Sequence, residues 1–163
     1  MDSLGILETL EKKTKLSLFE RILAVTNGSI TQLLEVYLGA RVGIRTIRQE
    51  VCAADEETAK KLDILGGEEI NYREVEITDG EGKVLIFAKS ITPMKRLDEK
   101  FKEDLTKADI PIGKLFIKHK IEARRELLSV DIRKNYLIRS YNIIHSEKTL
   151  MQIEEKFQLG VIK

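Results

Sequence analysis

The sequence has little of what many catalytic or binding classes require. Among its 163 residues are one cysteine, two histidines and two prolines. The lone Cys52 has no partner in the chain for a disulfide, which fits a reducing, cytoplasmic interior. One cysteine and two distant histidines make a poor zinc site, so no metal is expected. Charge of one sign is also missing. Twenty-eight Lys+Arg face 27 Asp+Glu, a net charge of +1, which gives no electrostatic support for nucleic acid or a membrane surface as partner. No apolar run approaches the roughly 18 residues of a membrane span. The start MDSLGILETLEKK has neither the basic head nor the apolar run of a secretory signal. Phosphate loops, nucleophile elbows, CxxC pairs and HExxH motifs are all absent, as are internal repeats and low-complexity linkers.

What is present is a 42% hydrophobic fraction, enough for one core, and the length suits a single domain over residues 1–163. The first forty residues read as helical, with room for two short helices. Ser17 and Glu20 have capping-box spacing at the head of LFERILAV. Ser29 opens ITQLLEVYL, with Leu33, Leu34, Tyr37 and Leu38 on one face and Gly39 as the stop. From residue 42, VGIRTIRQEV reads as a partly exposed or bulged strand. Asp55 caps EETAKKLDI, which runs to Gly66-Gly67. INYREVEIT and KVLIFAKSIT flank the turn Asp79-Gly80-Glu81-Gly82 and form the clearest hairpin, halted by Pro93.

LDEKFKEDLTKA places Leu97, Phe101 and Leu105 on one helical face. Pro111 suits a first helical position ahead of a short turn over Lys114–Ile117. HKIEARRELLSVDI, NYLIRSYNII and TLMQIEEKFQL read as strands, the last two joined at His145-Ser146-Glu147-Lys148. Helices in front and antiparallel hairpins behind predict an α+β fold, an antiparallel sheet covered by helices.

A few charges break the strand period. Arg73 shares parity with Val75 and Ile77, so its guanidinium points to the apolar face. There it needs an internal carboxylate or an anionic ligand. Lys89 shares parity with Leu85, Phe87 and Ile91, although a lysine can also snorkel outward. Glu155 travels with Met151, Ile153 and Phe157, and Glu154 with Leu150 and Gln152. Whichever faces inward has its pKa raised by burial and suits hydrogen bonding or acid–base work. His119, His145 and Cys52 read as ordinary structural residues. Arg45, Arg48, Arg124 and Arg125 read as surface ion-pair material.

In this order the segments resemble the chorismate pyruvate-lyase family, most closely its archaeal and actinobacterial branch, from about Ser29 to Phe157. GSITQLLE (28–35), RTIRQE (45–50), YREVEITDGEGKVLIFAKSITP (72–93), IPIGKLF (110–116) and IRSYNIIHSEKTLMQIEEKF (138–157) carry the resemblance. It implies a chorismate lyase-like fold, with Arg73 clamping the ring carboxylate. Backbone groups at Ile30 and Ile112 are placed against the product. The second, vestibule arginine of the family falls on Lys89. The acidic residue that meets the product hydroxyl falls on Glu154 by ungapped spacing from Lys148, whereas strand parity favours Glu155.

The implied activity converts chorismate to 4-hydroxybenzoate and pyruvate without a cofactor, because aromatisation drives it. The implied partner is this small molecule alone, with no nucleic acid and no membrane. The alternative is a non-catalytic small-acid binding module related to the effector domain of GntR-type regulators. A lyase or isomerase acting on a related cyclic acid is a third reading.

Overall fold

A computed structural model describes residues 2–107 and 109–162. Three helices come first, α1 (Ser3–Glu11), α2 (Leu18–Val25) and α3 (Ile30–Leu38), one more than the sequence predicts. Asp2 caps α1 by accepting the Gly5 N–H at 2.8 Å, and Ile6, Leu7 and Leu10 turn inward. Both halves of the α2 capping box form. Ser17 Oγ accepts the Glu20 N–H at 3.2 Å, and the Ser17 N–H donates to the Glu20 carboxylate at 2.8 Å.

Ser29 caps α3, and Gly39 ends it with φ +65°, where glycine has no Cβ to clash. The buried face of α3 is Ile30, Thr31 and Leu34. Tyr37 and Leu38, expected on that face, are largely exposed. Tyr37 instead stacks on Phe19 of α2.

Six strands form one sheet: β1 (Gly43–Ala53), β2 (Glu69–Thr78), β3 (Val84–Pro93), β4 (Arg124–Arg133), β5 (Tyr136–His145) and β6 (Lys148–Gln158). Their order is β1-β2-β3-β6-β5-β4 and every pairing is antiparallel. The chain leaves β3 through α5 (Glu99–Lys107) and α6 (Ile112–Lys118) and re-enters at the far edge, so β6 fills the centre. α4 (Glu56–Leu62) follows its Asp55 cap but stops at Asp63, φ +54°, before the expected Gly66-Gly67. Pro111 is the residue preceding α6 rather than its first position.

The register decides which side chains share a face. Arg73, Ser90, Ile153 and Tyr141 lie in one cross-strand row, and Val75, Ala88, Glu155 and Arg139 in the next row on the same face. Glu74, Lys89, Glu154 and Ser140 form a row on the opposite face. On the inner face α1, α2 and α3 pack over Ile77, Ile86, Leu137 and Phe157. α5 and α6 pack over Tyr141, Ile143, Met151 and Ile153. α4 covers Ile70 and Cys52 at one end of the other face. The fold is α+β, and the inner face between its two helical groups holds the site. No helix among the described residues is long and apolar enough to cross a membrane.

Candidate active site

A cavity of about 490 Å³, part of it open to solvent, lies between the two helical groups. The starts of α3 (Ser29, Ile30) and α6 (Ile112, Gly113) form its roof. Its floor is the inner face of the sheet, with Val75, Ile77 and Ile153 apolar and Arg73, Tyr141 and Glu155 polar.

Arg73 is 1% exposed. One Nη donates to the Ile110 carbonyl at 3.1 Å, while its buried Nε has no partner. Among the described residues no carboxylate lies within ion-pair distance of it. Burial pulls its pKa down, opposed by the charge of Asp109. The internal salt bridge that would make Arg73 purely structural is therefore not formed, and a cation without a counter-charge lines the pocket.

Glu155 is 4% exposed and lines the same pocket. Its Oε1 sits 3.0 Å from Arg139 Nε, but the two are not aligned as a hydrogen bond and each lacks a hydrogen-bond partner. Burial pushes the Glu155 carboxyl above its ordinary range, while Arg139, Tyr141 and Arg125 pull the other way. Arg139 is fully buried. It donates to the carbonyls of Leu23 and Thr26, at the C-terminal end of α2 where a cation is favoured. One guanidinium thus braces Glu155 and anchors the helices that lead to Ile30.

The sequence-predicted residues separate cleanly. Arg73, Ile30, Ile112, Glu155 and Lys89 line one pocket. Glu154 does not; it is exposed on the opposite face, opposite Lys89 and Ser140. The ungapped spacing fails because β6 carries an extra residue. Ile144 pairs with Thr149 and Ile143 with Met151, so Leu150 is the unpaired residue and both Leu150 and Met151 are buried. Lys89 does line the cavity, but a second bulge sets which way its side chain turns. Ile77 pairs with Ile86 and Thr78 with Val84, leaving Leu85 as the extra residue of a bulge. Counting from Leu85 points Lys89 inward. Counting from Ile86 turns its side chain toward the opposite face, so Lys89 lines the cavity only at its rim and is exposed there.

The residue missed is Arg125. Arg45, Arg48 and Arg124 pair with Glu76, Glu50 and Glu126 at the surface, as expected. Arg125 instead lines the pocket with a buried, unpartnered Nε, and its guanidinium lies 5.9 Å from the Tyr141 ring centre. It shares parity with Leu127, which is the signal that marks it. Tyr141 is buried and its hydroxyl is pushed far up by desolvation, the Arg125 and Arg139 charges opposing. His119 meets Asp104 at 2.6 Å and His145 meets the Glu122 carbonyl at 2.8 Å, both away from the pocket. Among the described residues no cluster of His, Cys, Asp and Glu is arranged to hold a metal ion.

A family model described as chorismate pyruvate-lyase Rv2949c-like matches residues 24–163. The chain belongs to that family. A relative from Methanocaldococcus jannaschii, named "Putative lyase MJ0807", is 36% identical over 157 positions, covering 85% of this chain and 77% of that protein.

Solved structures share the fold at low identity. The effector domain of PhnF from Mycobacterium smegmatis is 14% identical, with TM-score 0.63, covering 82% of this chain and 90% of that one. Intact PhnF has TM-score 0.66 at 14% identity and 82% coverage, and this chain spans only 65% of its length. A ligand-binding domain from Bordetella bronchiseptica, of a GntR-family regulator, has TM-score 0.54 at 14% identity, covering 72% and 85%. These structures speak to the fold of the chorismate pyruvate-lyase Rv2949c-like chain, whose chemistry rests on its pocket.

Proposed function

We propose that the protein converts chorismate to 4-hydroxybenzoate and pyruvate, with the sheet and its covering helices acting as one cytoplasmic catalytic unit. The observation that carries this reading is the pairing of Arg73, buried and without a counter-ion, with buried Glu155 across one pocket. Arg73 lies on β2 and Glu155 on β6, two strands over and two residues along. Their backbones are therefore about 12 Å apart by ordinary sheet spacings. With both side chains turned inward, that span suits a six-membered ring carrying a carboxylate at one end and a hydroxyl at the other.

In this reading Arg73 holds the ring carboxylate through its free guanidinium edge. Glu155 accepts the ring hydroxyl and takes the proton from the carbon that bears it. The adjacent carbon–oxygen bond then breaks, its electron pair leaving with the enolpyruvyl group. The ring becomes aromatic, and the enolpyruvate takes up a proton to become pyruvate, which balances the reaction. Loss of the ring proton and of the side chain supplies its own driving force, so no cofactor is needed. Backbone groups at Ile30 and Ile112 close over the ring and keep water out.

The test is an ultraviolet and chromatographic assay with chorismate. The wild-type protein releases 4-hydroxybenzoate and pyruvate in equal amounts, and Arg73→Ala lowers kcat/KM by about a hundredfold or more, as expected for a lost charge-assisted contact. A wild-type protein that binds 4-hydroxybenzoate but releases neither product is a small-acid binding module instead.

A further inference from the structure

Given the chorismate reading above, we propose that Arg125 is the second anion-binding residue of the pocket. It would hold the carboxylate of the side chain that leaves, and so select dicarboxylates over monocarboxylates. The charge pattern points there first. Two guanidiniums line the cavity, Arg73 and Arg125, each with a buried Nε that no protein group satisfies. Glu155 is the lining carboxylate among the described residues, and Arg139 already stands against it. With Lys89 exposed at the rim as a third cation, the cavity carries more positive charge than its own acid neutralises, and the two guanidiniums are the part of it that holds buried, unsatisfied nitrogens. A buried guanidinium nitrogen without an acceptor is costly, and a dianion is the ligand that satisfies both.

Position supports the same assignment. Arg73 donates to the Ile110 carbonyl. An Nη of Arg125 lies 3.9 Å from where a Cβ on Gly113 would stand. The two cations therefore flank the segment from Ile110 to Gly113, whose three-residue span is at most about 11 Å. Gly113 has no side chain, and a Cβ there would lie only 2.8 Å from Ser29 Oγ. That leaves a narrow gap between α3 and α6 with Arg125 beside it.

Arg125 lies 5.9 Å from the Tyr141 ring centre, on which Arg139 also stands at 5.1 Å, and its charge acts on Glu155, so it belongs to the Glu155 end of the pocket. In chorismate the enolpyruvyl ether and the hydroxyl sit on neighbouring ring carbons. With the hydroxyl on Glu155, the side-chain carboxylate must fall at that same end, where Arg125 waits. Lys89, the residue the family resemblance marks for a second cation, lines only the rim of the cavity, because the register turns its side chain toward the other face, where it is exposed.

The experiment is calorimetric titration of the full chain with two unreactive ligands that differ by one charge. They are 3-carboxymethoxy-4-hydroxybenzoate, a dianion, and 3-methoxy-4-hydroxybenzoate, a monoanion. The wild-type protein binds the dianion at least tenfold more tightly. Arg125→Gln, which keeps most of the stem, removes that preference and leaves monoanion affinity within about twofold. Arg73→Ala weakens both ligands. With chorismate, Arg125→Gln raises KM while inhibition by 4-hydroxybenzoate is unchanged. A wild-type preference that survives in both Arg125→Gln and Arg125→Ala overturns the proposal, and so does an equal loss of both ligands in Arg125→Gln. Because neither ligand reacts, an absence of turnover would count against the lyase reading alone and would leave the Arg125 result standing.

Discussion

Arg139 does two jobs that are separable by mutation. It faces the Glu155 carboxylate and it donates to the carbonyls of Leu23 and Thr26. Arg139→Met leaves Glu155 as an uncompensated buried acid and frees two carbonyls, a cost of about 3–5 kcal/mol. The double variant Arg139→Met/Glu155→Gln is expected to recover a good part of that stability without activity, which denaturant unfolding and the chorismate assay together measure.

Glu155 also sets a pH dependence. Its pKa is raised by burial, so the folded state holds its proton more tightly than the unfolded chain does. The stabilisation from the protonated acid is present below the ordinary value of about 4.3 and is lost as pH rises through the folded pKa. Activity that needs the carboxylate runs oppositely, rising across that same folded pKa. The acid limb of kcat/KM therefore lies above pH 4.3 and disappears in Glu155→Gln, whose residual rate is flat there.

Strand period marked Arg73 and Glu155 in the bare sequence because the strands around them alternate without interruption. It turned the Lys89 side chain to the wrong face, though Lys89 still lines the cavity rim, and ungapped spacing misplaced Glu154, for one physical reason. Each strand carries an extra residue, Leu85 or Leu150, and a bulge shifts the alternation by one.

Elements with side-chain caps were legible; those defined by distant contacts were not. Ser17 with Glu20 and Ser29 with Gly39 announced α2 and α3, because a cap is a local bond between residues three apart. The turn after β2 was visible for the same reason, Asp79 accepting the N–H groups of Glu81 and Lys83. α1 was missed as a separate helix, and the exposure of Tyr37 was not foreseen, since both depend on how α1, α2 and α3 pack on one another. Glu20 shows the limit most directly. Its carboxylate closes the capping box and also accepts the Gly160 N–H at 2.8 Å from the far end of the chain. Ser17→Ala should cost about 1 kcal/mol, the usual worth of an N-cap. Glu20→Ala should cost more and also expose the Gly160 amide. Amide hydrogen exchange should show faster exchange at Gly160 in Glu20→Ala and no change there in Ser17→Ala.

At the scale of the whole molecule, the pocket is where two separately packed helical groups meet over one sheet. α1, α2 and α3 belong to one apolar cluster and α5 and α6 to another. The roof is made of one helix start from each. Few contacts join these roof segments directly, apart from an ion pair between Lys114 and Glu35 and the close approach of Ser29 to Gly113. A ligand lying under both would therefore tie the groups together, and its binding energy would appear as stability of the whole fold. At one hundred times its dissociation constant, a ligand adds about 2.7 kcal/mol. For a chain of this size that corresponds to a rise in Tm of about 5–10 °C. With 4-hydroxybenzoate at that ratio, the wild-type protein should show this rise, and Arg73→Ala at the same concentration should show little or none. Hydrogen exchange should slow together at residues 29–34 and 110–116, one segment from each group. Protection confined to one segment would mean that the ligand sits against a single helical group, and the two-sided pocket would be wrong.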